Sequence, residues 1–90
     1  MRQTPMDEDD ATALTRLIQR LRSEREARGL SLNDVARRAD VGASTFSRME
    51  RGVDRNPTII TLARYARALG MRLSLDLVTL ETDPPRPPAR

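Results

Sequence analysis

The sequence predicts a mainly α-helical domain of four to five short helices, followed by one β-strand. Three observations carry this prediction. Apolar residues recur at helical spacing along most of the chain. Gly29, Gly52 and Gly70 stand where these segments end, as is typical of helix C-termini. After Gly70 the apolar residues alternate strictly with polar ones, which is typical of a strand.

The composition excludes most catalytic and metal chemistry. The length of 90 residues predicts one small domain. Its core is expected to be aliphatic, because the chain has one Phe, one Tyr and no Trp. The chain has no His and no Cys, so disulfides, the usual zinc ligand sets and Ser-His or Cys-His catalysis are impossible. A site of carboxylates alone stays possible, but no such pattern stands out. We therefore expect no enzyme activity, no metal and no cofactor.

The charge is positive and carried by arginine alone. Residues 11–80 contain 13 Arg and 7 acidic residues, a net charge of about +6. Arginine suits bidentate contact with phosphates and guanine edges, although a GC-rich genome explains the absence of lysine equally well. No apolar run approaches the roughly 20 residues of a membrane span, and the acidic, polar start is unlike a signal peptide. We expect a cytoplasmic protein without a membrane partner.

The first helix is predicted from about Thr12 to Arg28. Residues 1–11 include the acidic run that precedes it and are expected to be disordered. The apolar stripe of this helix recurs at helical spacing. It consists of Leu14, Leu17, Ile18 and Leu21.

Two short helices and a tight turn follow. Ser31 opens a helix that runs to about Ala39, with Asp34 near the position of a capping box. Residues 40–42 form the turn. The next helix runs from about Ala43 to Arg51 and buries two core residues. These are Phe46 and Met49.

A fourth helix is predicted from about Thr58 to Leu69, after the Asn56-Pro57 turn signal. Residues 12–70 thus form the main domain, 71–80 a strand segment, and 81–90 a proline-rich tail that we expect to be disordered. The buried side of the fourth helix is predicted as Ile59, Leu62, Ala63, Ala66 and Leu69. The strand residues are Arg72, Leu73, Ser74, Leu75, Asp76 and Leu77.

The second and third helices are typical of a helix-turn-helix. Ala36 is small where the two helices approach, and Val41 fills the elbow between them. Burial of Phe46 and Met49 leaves a face of mostly short side chains outward, which can approach the floor of a DNA major groove. That face contains Ala43, Ser44, Ser47 and Arg48, with Thr45 at its edge.

This pattern resembles the Cro/C1-type (XRE) helix-turn-helix family, which has the lambda-repressor-like fold. The resemblance covers roughly residues 17–70. It rests on Arg25, Gly29-Leu30-Ser31, Val35-Ala36, Val41, Phe46, Glu50-Arg51-Gly52, Pro57, Leu62 and Ala68-Leu69-Gly70. The resemblance implies a bacterial or phage DNA-binding regulator whose third helix enters the major groove.

The resemblance also assigns roles to individual residues. Base reading is implied for Ala43, Ser44, Thr45, Ser47 and Arg48. Phosphate contact is implied for Asn33, Arg37, Arg38, Arg51, Arg55, Asn56 and Thr58. Arg25 and Glu50 match a family pair that forms a partly buried salt bridge. Leu32 stands where the family usually has a DNA-contacting Gln, and Asp40 stands where its turn usually has Gly.

The lone strand predicts a dimer. An unpaired apolar strand is a liability, and pairing with a second copy across a two-fold axis would remove it. The homodimer would then place two recognition helices on a palindromic operator in double-stranded DNA. The stretch from Leu69 to Leu75 also resembles antitoxins of type II toxin–antitoxin systems, which implies an autoregulating repressor with a cognate toxin as partner. The alternatives are a stand-alone or phage-type regulator, and a protein-interaction module that has lost DNA reading.

Overall fold

The computed structural model describes residues 7–80. Its regular structure consists of four helices: α1 (Glu8–Ala27), α2 (Leu32–Ala39), α3 (Ala43–Glu50) and α4 (Ile59–Ala68). The mainly α fold predicted from the sequence is confirmed for this part of the chain. The disorder predicted for residues 1–6 and 81–90 concerns residues outside the described range.

Helix α1 begins four residues earlier than predicted. The Asp7 carboxylate accepts a hydrogen bond from the backbone N–H of Asp9 at 2.8 Å and caps the helix. Three further acidic residues occupy the first turn, where the positive end of the helix dipole favours them. Disorder was therefore the wrong prediction for residues 8–11. Their side chains are exposed, and the apolar stripe that guided the prediction starts only at Leu14.

Helix α2 and the turn after it are fixed by local hydrogen bonds. The Ser31 hydroxyl accepts from the Asp34 N–H at 3.0 Å, and the Asp34 carboxylate accepts from the Ser31 N–H at 2.9 Å. Hydrogen bonds from the backbone and side chain of Ser31 hold the pKa of Asp34 below its ordinary value. Asp40 then takes the left-handed conformation, with φ 58° and ψ 46°. The N–H of Val41 donates to the Ala36 carbonyl at 3.0 Å and closes the turn.

The core lies where α2 packs against α3 and α4 and where α1 packs against α3. The rings of Phe46 and Tyr65 meet at its centre, with centroids 4.8 Å apart and planes tilted by 53°. The ten core residues are Leu21, Val35, Ala36, Phe46, Met49, Leu62, Tyr65, Ala66, Ala68 and Leu69. Burial of Ile59 was a wrong prediction: its side chain is 54% exposed, since it stands in the first turn of α4 at the edge of the buried face.

Residues 71–80 form neither a helix nor a strand. Met71 and Leu73 pack against the core, and the chain beyond them is exposed. The predicted strand is thus not formed, because a strand needs hydrogen bonds from a neighbour and no other segment of residues 7–80 is a strand. Leu77 and Val78 are 93% and 87% exposed. Across residues 7–80, none of the four helices combines the length and the apolar character needed to span a membrane.

Candidate nucleic-acid interface

The outer face of α3 is built from short polar side chains around one arginine. Ser44 and Arg48 are exposed and lie about 40° apart around the helix axis. Phe46 and Met49 occupy the opposite side and are almost fully buried. The predicted base-reading residues at the flanks of this face are half-buried. They are Ala43, Thr45 and Ser47.

Ser47 accepts hydrogen bonds from Arg51, a contact that was not predicted from the sequence. The Arg51 Nε donates to the Ser47 carbonyl at 3.4 Å and to its hydroxyl at 3.3 Å. The i,i+4 spacing of the two residues on one helix face could have predicted this contact. The Ser47 hydroxyl therefore already has a protein partner, so Ser44 and Arg48 are the two fully exposed members of the predicted reading face.

The loop after α3 folds back onto that helix. Gly52 turns the chain with a φ of 77°, and the N–H groups of Val53 and Asp54 both donate to the Arg48 carbonyl. The Asp54 carboxylate accepts from the Asn56 N–H at 3.1 Å. These bonds hold the loop against the C-terminal end of α3 and leave the Arg55 side chain exposed beside it.

The loop ends at the N-terminus of α4. The Thr58 hydroxyl accepts from the Thr61 N–H at 3.1 Å and caps this helix. A capped helix N-terminus presents backbone N–H groups and a positive dipole end, both of which suit a phosphate. The predicted phosphate residues Arg51, Arg55, Asn56 and Thr58 thus lie on one continuous stretch of chain.

The three residues of α2 that are predicted to contact phosphates lie in different surroundings. Asn33 is exposed in the first turn. Arg37 lies on the same face and forms an ion pair with Asp34 at 2.7 Å, which compensates part of its charge. Arg38 lies about 140° around the axis from Asn33 and donates to the Ala68 carbonyl at 3.3 Å. Leu32 packs against the core instead of supplying a polar side chain.

Helix α3 is joined to α1 and α4 by a largely buried cluster of three polar side chains. Arg25 donates twice to the Glu50 carboxylate, with both distances 3.1 Å. Its Nε also donates to the Tyr65 hydroxyl at 3.0 Å, and that hydroxyl donates to Glu50. The Arg25 and Glu50 side chains are only 12% and 8% exposed. The sequence predicted the ion pair but not the participation of Tyr65.

Burial and hydrogen bonding shift the pKa values within this cluster. Burial, followed by the hydrogen bond to Glu50, raises the pKa of Tyr65 well above its ordinary range. Burial acts to lower the pKa of Arg25, but hydrogen bonds to Glu50 and Tyr65 outweigh it and raise the pKa overall. Both shifts extend to higher pH the range in which the hydroxyl stays protonated and the guanidinium stays charged.

Helix α3 and its loop carry three arginines without an ion-pair partner among the described residues. Within residues 7–80, five arginines have an acidic partner within 4.0 Å; these are Arg20, Arg22, Arg25, Arg28 and Arg37. The arginines at 48, 51 and 55 have none within that range. Unpaired and exposed guanidinium groups next to a polar helix face suit an interface with the phosphate backbone.

Comparison with known proteins agrees with this geometry. The model of a family described as helix-turn-helix matches residues 21–75, more than half of the chain. The match begins in the second half of α1, includes α2, α3 and α4, and ends within residues 71–80. No curated protein and no solved structure matches the chain significantly. The chain belongs to the Cro/C1-type (XRE) helix-turn-helix family, a family of DNA-binding regulators.

Proposed function

We propose that this protein is a sequence-specific transcriptional repressor that binds a palindromic operator as a homodimer. The exposed face of α3 carries the proposal. Ser44 and Arg48 stand outward on a helix whose opposite side is fixed in the core. A rigid helix with a short polar face can enter a major groove, where each base pair presents a distinct set of donors and acceptors.

In this proposal, base recognition and phosphate contact are assigned to different residues. Arg48 reaches base edges from α3, since arginine can contact guanine O6 and N7 with two hydrogen bonds. The loop with Arg51, Arg55 and Asn56, together with the N-terminus of α4, contacts phosphates. Phosphate contacts position the protein on any duplex, whereas base contacts decide which duplex it prefers.

Titration of two duplexes at several salt concentrations tests the proposal. One duplex carries the protein's own promoter and the other a scrambled sequence of equal length. We expect the affinity to fall steeply with salt and the promoter to bind more tightly. Arg48→Ala should lower the preference for the promoter by about 1–3 kcal/mol. Arg55→Ala should weaken both duplexes alike and reduce the salt slope by about one unit.

Arg16→Ala is the matched control. Arg16 is exposed on α1 and, among residues 7–80, has no acidic partner, so this variant loses the same charge away from α3. If Arg16→Ala, Arg48→Ala and Arg55→Ala change binding equally, the effect is one of net charge and the assigned interface is wrong. Wild-type binding without any preference for the promoter would contradict sequence reading and favour an interaction module.

The homodimer is supported by the exposed apolar residues at the end of the described chain. Four apolar residues of segment 71–80 are each more than 60% exposed. These are Leu75, Leu77, Val78 and Leu80. Pairing of two such segments across a two-fold axis would cover them and satisfy their backbone hydrogen bonds. The two α3 helices would then face successive half-sites of the operator.

An antitoxin role is the leading subtype of this function. It is supported by the sequence from Leu69 to Leu75, which resembles the entry into the short strand of XRE-type antitoxins. Coexpression with the product of an adjacent gene tests it. An antitoxin should restore growth that this product alone arrests, and the two should copurify. A neighbour without toxicity would favour a stand-alone or phage-type regulator.

A further inference from the structure

A second positively charged surface lies away from α3, in a groove between the C-terminal ends of α2 and α4. Its volume is about 520 Å³, within the range of small-molecule sites. Two alanines form its apolar part, and three arginines surround it. The lining residues are Arg38, Ala39, Arg64, Arg67, Ala68 and Gly70.

None of the three arginines of this groove forms an ion pair in the described part of the chain. Within residues 7–80, none of them has an acidic partner within 4.0 Å. Arg64 and Arg67 are three residues apart on one helix, a spacing at which like charges repel. Arg38 donates one N–H to the Ala68 carbonyl, which holds its guanidinium at the groove and leaves further donors exposed.

The groove is separated from the proposed DNA-contacting residues by the length of the helices. On α2, Arg38 lies about 7.5 Å along the axis from Asn33 and about 140° around it. On α4, Arg67 lies about 13 Å along the axis from Thr58, which caps the opposite end of the helix. Arg38 was predicted from the sequence as a phosphate contact, but Arg64 and Arg67 have no assigned partner in the proposed complex with DNA.

We propose that this groove binds a small ligand bearing phosphate groups. A phosphate has three terminal oxygens and about two negative charges, so it can bridge more than one guanidinium. A carboxylate has two oxygens and one negative charge, so each carboxylate compensates less of the charge of the groove than a phosphate does. The apolar surface of Ala39 and Ala68 provides contact for the uncharged part of the ligand.

Isothermal titration calorimetry at constant ionic strength tests the proposal. The probes are pyrophosphate, adenosine diphosphate and the dicarboxylate malonate. We expect both phosphate compounds to bind and malonate to bind more weakly. Arg64→Gln and Arg67→Gln should each reduce the affinity for pyrophosphate about tenfold, the loss expected for one charge-assisted hydrogen bond. Tighter binding of adenosine diphosphate than of pyrophosphate would support contact between Ala39, Ala68 and the nucleoside.

Two matched variants separate this groove from general attraction of anions. Arg16→Gln and Arg22→Gln each remove an exposed charge from α1, and neither residue lines the groove. Both should bind pyrophosphate as the wild type does. Equal losses in all four variants, no binding, or malonate binding as tight as pyrophosphate would overturn the proposal.

Duplex binding provides the last control. Arg64→Gln and Arg67→Gln should bind the promoter with wild-type affinity and salt dependence. A lower salt slope in these variants would assign the groove to DNA phosphates and overturn a small-ligand site. The two proposals fail separately, since loss of promoter recognition leaves the pyrophosphate titration unaffected.

Discussion

At the scale of single residues, the buried cluster of Arg25, Glu50 and Tyr65 joins three helices that are distant in sequence. Its contacts connect residues 15 to 40 positions apart. A buried ion pair contributes little net stability compared with an apolar replacement of the same shape, but the loss of one partner leaves an uncompensated charge. The cluster therefore makes the position of α3 depend on both α1 and α4.

Glu50→Ala should destabilise the protein by about 3 kcal/mol, because it leaves the Arg25 guanidinium in a largely buried site without its carboxylate. Urea unfolding followed by circular dichroism measures the change. The control is Glu26→Ala, which breaks the exposed Arg22–Glu26 pair and should cost less than about 1 kcal/mol. Similar losses in the two variants would show that burial does not increase the contribution of the Arg25–Glu50 pair to stability.

Tyr65 should limit stability at alkaline pH. Its folded-state pKa lies above the unfolded value of about 10, so the stabilising effect is complete below that pH and is lost as the pH rises above it. Tyr65 is the single tyrosine of the chain, so tyrosinate absorbance reports on it alone. We expect ionisation and the loss of helical circular dichroism to occur together. Ionisation near pH 10 with the helices intact would contradict the buried hydrogen bond to Glu50.

At the scale of elements, the turn between α2 and α3 depends on the left-handed backbone of Asp40. The cost of this conformation is smaller for Asp than for most residues and is absent for Gly. Asp40→Ala should destabilise the protein by about 1 kcal/mol, and Asp40→Gly should leave stability unchanged or raise it slightly. Thermal unfolding of both variants measures the difference. Equal stability of the two would mean that the backbone at this residue relaxes freely.

The sequence predicted α2, α3 and α4 to within about one residue at each end, because each has a local signal at its boundaries. Ser31, Gly42 and Thr58 stand at their N-termini, and the capping box with Asp34 is readable as a spacing of three. The start of α1 had no apolar residue to mark it. The cap at Asp7 stabilises the N-terminus of this helix by hydrogen bonding and charge alone.

The candidate site was less predictable than the helices. The outward positions on α3 follow from helical geometry once Phe46 and Met49 are buried. The contact between Arg51 and Ser47 depends on the rotamer of a long side chain, and the position of Arg38 depends on how α2 meets α4. The spacing of four residues indicates the first contact without fixing the rotamer, whereas the second is decided by tertiary packing and could not be predicted from periodicity.

At the scale of the whole molecule, segment 71–80 combines a predicted strand with exposed apolar side chains. A strand is predicted there, and its pairing depends on residues that would come from a second copy. The proposed dimer would account for the difference between the sequence pattern and the structure of a single chain at this segment. The segment also makes the dimer testable without DNA.

Leu77→Arg should shift the protein from dimer to monomer in sedimentation equilibrium, because it places like charges at a proposed two-fold contact. Its affinity for a full operator should approach that for a half-site. Val53→Arg is the control, since Val53 is also an exposed apolar residue, 60% accessible, outside the segment. Equal association of wild type and Leu77→Arg would contradict a dimer built on this segment.

The separation of the outer face of α3 from the buried cluster has a consequence for evolution. Ser44 and Arg48 make no contact that holds the helix in the core, whereas Phe46, Met49 and Glu50 do. Substitutions at exposed helix positions usually change stability by less than about 0.5 kcal/mol. If the proposed function is correct, new operator preferences can therefore arise by mutation of the exposed positions while the folded scaffold is inherited unchanged.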